Sequence, residues 1–197
     1  MIRRFQLFLM TIVLIGVSGC ASHAFHGTLL DPPSQAPAFT LTDHNEQAFR
    51  LSDLKGKLVL LYFGFTSCPD ICPTELSSLA ALRRELGSSA DGVQVVMVTV
   101  DPERDTTNHL RQYVTAFDPT FIGLTGSQAE LQAVFTSYGV IAKKHPLADS
   151  ALGYTMDHSA FVYVIDQTGR WVELFPMGTP TADALDDVRY LLQSRVN

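Results

Sequence analysis

Two cysteines four positions apart, Cys68 and Cys72, sit in Phe65-Thr66-Ser67-Cys68-Pro69-Asp70-Ile71-Cys72-Pro73. Pro69 and Pro73 forbid a regular helix through this loop. They suit a helix starting near Pro73, where the missing N–H costs nothing and φ is already helical. Both thiols then fall between the C-terminal end of a strand and the N-terminus of a helix. Sites form at that edge of an open α/β sheet, and the helix end favours thiolate over thiol. Thioredoxin-type redox motifs use C-x-x-C; the extra residue and two prolines make a looser loop, better suited to gripping an ion. Two thiolates alone suit a soft, low-coordination ion such as Cu(I), and a third ligand would raise the affinity and admit other oxidation states, Cu(II) among them.

Other chemistries use the same pair. It could form a structural disulfide, although so short a loop would add little chain-entropy stabilisation. It could act as a thiol–disulfide oxidoreductase, one thiolate attacking a client disulfide and the other resolving the mixed disulfide, or as a thiol peroxidase. A zinc site is chemically possible, but relative affinity favours copper.

The elements around the pair must position it. Leu58–Phe63 is an unbroken apolar run, the signature of a strand buried on both faces. Thr74–Leu86 follows with Leu76, Leu79, Leu82 and Leu86 at helical spacing, capped by Cys72 or Thr74 and stopped by Gly87. Phe39–Leu41 and Ala48–Leu51, around Asp43-His44-Asn45-Glu46, predict a β-hairpin. Val93–Val100 is a second buried strand, and Asp105 is placed to N-cap a helix over Thr106–Phe117. Phe121–Leu124 predicts a strand and Gln128–Phe135 a helix. Val140–Tyr154, with Lys143, Lys144 and His145, predicts a less regular excursion, an exposed hairpin or lobe. Ser159–Asp166 and Trp171–Phe175 predict an antiparallel pair, and Thr181–Val196 the last helix. This order fits an α/β fold: a thioredoxin-like sandwich, its mixed central sheet flanked by helices, with an added N-terminal β-hairpin.

That fold nominates the third ligand. The loop before the Ser159–Asp166 strand faces the cysteine motif in thioredoxin-like folds. Redox members keep a proline there, and none lies between Tyr154 and Asp166. His158 stands in its place, with Asp157 available to orient the ring.

The chain has 197 residues, 46% apolar and 17% charged, enough for one domain with a proper core. A formal net charge of −6 without a basic stripe argues against a nucleic-acid partner. Arg3 and Arg4 precede the apolar stretch Phe5–Val17, which is short for a membrane span. Val17-Ser18-Gly19-Cys20 resembles the lipobox of bacterial lipoproteins. Residues 1–19 are therefore expected to be a signal peptide and Cys20 a lipidation site, with an uncleaved anchor the alternative. Residues 20–37, with His23, His26, Pro32, Pro33 and Pro37, form a tether in this reading, its histidines solvated, and the domain spans 38–197. With Cys20 lipidated, Cys68 and Cys72 are the remaining thiols, in a compartment where disulfides can form.

Three blocks together, Phe63–Pro73, Val100-Asp101-Pro102-Glu103-Arg104-Asp105-Thr106 and Asp157-His158-Ser159, strongly resemble the SCO/SenC family of copper-binding thioredoxin-like proteins. The resemblance runs from about Ala38 to Leu192. It implies a copper site of Cys68, Cys72 and His158. It also implies delivery of copper to the binuclear centre of cytochrome c oxidase subunit II or a similar client, or preparation of that client's thiols. Another periplasmic copper donor would stand upstream. Members are typically membrane-anchored, usually by a transmembrane helix, so a lipobox departs from many while preserving the tether.

Overall fold

The computed structural model describes residues 23–148 and 150–194. Along them run β1 (Thr28–Gln35), β2 (Thr40–Asp43), β3 (Ala48–Arg50), β4 (Leu58–Gly64), α1 (Ile71–Leu86), β5 (Val93–Thr99) and α2 (Thr107–Phe117). There follow β6 (Ile122–Thr125), α3 (Gln128–Tyr138), β7 (Ala142–Pro146), β8 (Tyr154–His158), β9 (Phe161–Ile165), β10 (Arg170–Pro176) and α4 (Thr181–Gln193). Eight strands form one sheet in the order β1-β10-β9-β4-β5-β6-β2-β3, while β7 and β8 pair separately. β4 runs parallel to β5 and β5 to β6; the flanking pairs are antiparallel. This is the expected thioredoxin-like α/β sandwich, and the β2–β3 hairpin is its N-terminal addition.

The two central strands explain themselves. Every residue of β4 and of β5 is buried. Such strands must be covered on both faces, which is why their sequences run apolar without alternation. Leu76, Leu79, Leu82 and Leu86 turn one face of α1 into the core, and α1 packs against α4. Leu110 and Val114 do the same for α2 against β6.

Three local readings need correction. Residues 28–35, assigned to the tether by sequence, are the edge strand β1, paired antiparallel with β10 from Thr28↔Leu174 to Gln35↔Arg170. Pro32 and Pro33 fall where the register shifts between Leu29 and Ser34. Prolines are tolerated on an edge because no ladder N–H is needed there, and the same prolines with a largely exposed pattern erase the strand signal. The N-cap of α2 is Thr106, whose side chain accepts from His109 N, and not Asp105. Neither Cys72 nor Thr74 caps α1, which already begins at Ile71. Cys20 and the signal-like segment lie outside the described residues.

Candidate metal centre

β4 ends at Gly64 and α1 begins at Ile71, so the seam between them carries both cysteines to the C-terminal edge of the sheet. Cys72 is buried in the first turn of α1, and Cys68 is half-buried in the loop. The Cys72 backbone N–H donates to Cys68 Sγ at 3.4 Å. An added Cβ at Gly64 would lie 3.2 Å from Cys72 Sγ and 2.6 Å from the Tyr62 ring. The sulfur can sit against the strand end because that position carries no side chain.

The third residue arrives from the separate β7–β8 hairpin. His158 closes β8, opposite Ala142, and brings its Nε2 to 3.8 Å from Cys72 Sγ. Its Nδ1 lies 3.0 Å from the Ser159 carbonyl oxygen. A carbonyl only accepts, so Nδ1 carries a proton, and Nε2 is the ring nitrogen turned toward the sulfurs. The ring is wedged edge-on between Phe65 and Tyr62, at centroid distances of 5.8 and 6.4 Å. Asp157, expected to orient the ring, does not: it is exposed and faces His145 at 3.8 Å. The orienting acceptor is the backbone carbonyl of the following residue, invisible to any reading of side-chain types.

The two thiols are not equivalent. The hydrogen bond from Cys72, with help from His158 and the backbone N–H groups of Asp70 and Cys72, holds Cys68 down to about 3 against the opposing effect of burial. Its partnership with Cys68 and its own burial hold Cys72 well above the ordinary thiol range. The reduced pair is thus one thiolate, Cys68, and one thiol, Cys72. Cys68 and His158 line a groove that Phe65, Ile71, Met156 and Ala160 make largely apolar, and the buried Cys72 Sγ lies 3.8 Å from His158 Nε2. That donor set fits a soft or borderline ion held by thiolate and imidazole.

The loop after β5 braces both halves of the site. Asp105, 1% exposed, accepts from the Thr66 N–H at 3.1 Å, from Thr66 Oγ1 at 2.6 Å and from Thr99 Oγ1 at 2.6 Å, which pins the start of the cysteine loop to the end of β5. Burial pushes its carboxyl above the usual range, opposed by these donors. Asp105→Ala strands the three donors and should lower stability by about 1.5–3 kcal/mol, read as a fall in urea midpoint at constant m-value. An unchanged midpoint would remove the brace.

Asp101 and Arg104 hold the hairpin. Asp101 accepts from Tyr154 Oη at 2.8 Å and pairs with the Arg104 guanidinium. Arg104 donates to the Tyr154 carbonyl at 3.1 Å and lies 3.8 Å from the centroid of the Tyr154 ring. Lys144 Nζ, 3.9 Å from that centroid, pairs with Glu103 at 2.6 Å. Lys144 thus packs on Tyr154 while staying exposed, within the exposed hairpin that the sequence predicts. Spacing could flag Asp101 and Asp105 as loop residues; only the fold shows which element each one ties.

The sequence pattern of the SCO1/SenC family matches residues 28–193. A SCO2-like protein of Rickettsia felis is 37% identical over 148 residues, covering 75% of this chain and 72% of that one. The copper-bound structure of Bradyrhizobium japonicum ScoI superposes with a TM-score of 0.73 at 42% identity, covering 81% of this chain and all of that one. The solution structure of apo Sco1 from Thermus thermophilus gives a TM-score of 0.78 at 36% identity over 87% of this chain and 99% of its own. Fold, matched span and relatives agree: the chain belongs to the SCO1/SenC family.

Proposed function

We propose that the protein is a copper metallochaperone whose cargo ion is held by Cys68, Cys72 and His158. The observation that carries this is the meeting of His158 Nε2 with Cys72 Sγ at 3.8 Å beside the Cys68 thiolate. The three donors come from a strand–helix seam and a separate hairpin, and they match the preference of Cu(I) for thiolate and imidazole. A related ScoI has been seen with copper bound, which supports the same cargo here. In this reading residues 1–19 are removed and lipidated Cys20 tethers the domain at an extracytoplasmic membrane surface. Copper then passes from a periplasmic donor to cytochrome c oxidase subunit II or a similar client.

The division between the thiols favours a second reading as well, a thiol–disulfide oxidoreductase acting on the same client. The half-exposed Cys68 thiolate would attack a client disulfide and release one client thiolate. Cys72, giving up its proton, would then attack the Cys68 sulfur and release the second. The protein would end as the Cys68–Cys72 disulfide and the client as a dithiol.

The test is an anaerobic titration of the reduced full chain in detergent with Cu(I) against a competing chelator. One tightly bound copper is expected, weakened in His158→Ala and abolished in Cys68→Ser/Cys72→Ser. Failure of the wild type to compete would overturn the chaperone reading. Capture of a client peptide through Cys68 in Cys72→Ser would support the oxidoreductase.

A further inference from the structure

Of the two histidines ahead of β1, His23 is largely buried and His26 remains exposed, but both are engaged by α4. His23 Nε2 lies 2.7 Å from Asp187 Oδ1, and the His23 ring stacks on Tyr190 with a centroid distance of 4.2 Å. His26 Nε2 lies 3.3 Å from Asp186 Oδ2, and its Nδ1 lies 3.9 Å from Asp183. His-x-x-His thus crosses the first turns of α4, whose Asp183, Asp186 and Asp187 sit at i, i+3 and i+4 on one face. One donor atom each from His23, Asp186 and Asp187 lies within 4.8 Å of the others.

A further group lies beneath them. Glu173 and Asp187 both have 0% exposure. Their carboxylates converge on one N–H, that of Gly27, at 3.0 and 3.4 Å. Glu173 Oε2 is buried without a hydrogen-bond partner among the described residues. No lysine or arginine pairs with either carboxylate among the described residues; Asp187 meets the His23 ring and accepts from the backbone N–H groups of His26, at 2.9 Å, and Gly27. Two buried carboxylates side by side repel and need a cation or a proton between them. Asp186 and His26 are open to solvent above, which gives an ion a way in.

We infer that His23, Asp186 and Asp187, with His26 beside them and the buried Glu173 carboxylate adjoining Asp187, form a second metal site for a divalent cation of the Cu(II)/Zn(II) class. The donors are imidazole and carboxylate with no sulfur, so the site selects against Cu(I) and suits borderline divalent ions. It is separate from the thiolate centre, and its test removes that centre altogether.

The experiment uses the full chain in detergent with Cys20, Cys68 and Cys72 all replaced by serine. It is titrated calorimetrically with Zn(II) alone and, separately, with Cu(II) alone. Each ion should bind saturably at one equivalent, Cu(II) more tightly. The Cu(II) form should show imidazole nitrogen coupling in its electron paramagnetic resonance spectrum. His23→Ala should weaken both ions by about tenfold or more, since loss of even an outer partner costs that much. His23 also anchors the N-terminal segment, so the exposed Asp186→Asn serves as the variant that leaves packing intact, and it should weaken binding too. No saturable binding of either ion would overturn the site. So would binding that neither variant changes, or a His23→Ala effect confined to melting temperature, which would leave the cluster as a fastening for the N-terminal segment.

Discussion

The apparent Cu(I) affinity of the reduced chain should rise about tenfold per unit between about pH 7 and about pH 9, with one proton displaced per copper. The reason is the unequal sharing of protons between the two sulfurs. Cys68 is already a thiolate, held so by Cys72, His158 and backbone N–H groups. Cys72 keeps its proton because Cys68 and burial hold it there. A copper ion taking both sulfurs must expel that single proton, so lowering the pH returns the competitor and weakens binding. Over the whole window the change is about a hundredfold. Chelator competition at several pH values gives the slope, and proton release in weak buffer counts the protons directly. A slope of two would mean that both thiols start protonated; a flat profile would mean that neither does. Either result would overturn the description of the pair as one thiolate and one thiol.

Gly64→Ala should damage the protein from the other side of the same sulfur. The added methyl would stand 2.6 Å from a Tyr62 ring carbon and 3.2 Å from Cys72 Sγ. Tyr62 is 1% exposed, so its ring cannot swing into solvent to make room. Overpacking of this kind costs about 1–3 kcal/mol. Part of the displacement falls on Cys72, so Cu(I) affinity should drop together with the urea midpoint. A variant that kept both would show that the seam between β4 and α1 has slack that the contacts do not reveal.

Much of this fold is legible in the chain because its central strands leave no choice. A run such as Leu58–Gly64 can only be buried on both faces, and the leucines of α1 mark their face by spacing alone. The candidate site is legible for the same reason: sulfur at a strand–helix seam and a histidine at the matching strand stand out by residue type. His158, however, terminates a strand of a separate two-stranded sheet rather than a loop. What stayed hidden depends on partners distant in sequence. β1 is stabilised by pairing with β10, and its prolines and exposed side chains carry no periodicity to announce it. Asp105 reads as a helix cap because aspartate before a helix usually is one. Its burial against Thr66 and Thr99 follows from how β4 and β5 line up. His23 and His26 read as linker residues until α4 supplies the aspartates that engage them.

The attachment of His158 separates grip from framework. The cysteines are set in the seam of the main sheet, and loosening them means disturbing its core. The histidine rides on a lever. Its hairpin is fastened at the base by Ile141 and Ser159, which exchange hydrogen bonds of 3.0 Å, and along its length by Arg104, Lys144 and Tyr154. Those fastenings are polar: the Lys144–Glu103 pair lies at the surface, while Asp101, which holds Arg104 and Tyr154, is buried. A partner that lifted the hairpin would withdraw the nitrogen while the sulfurs stayed in place, taking the proposed site from three donors to two. Release could then be commanded from the outer surface, with the sheet beneath acting only as a fixed jaw.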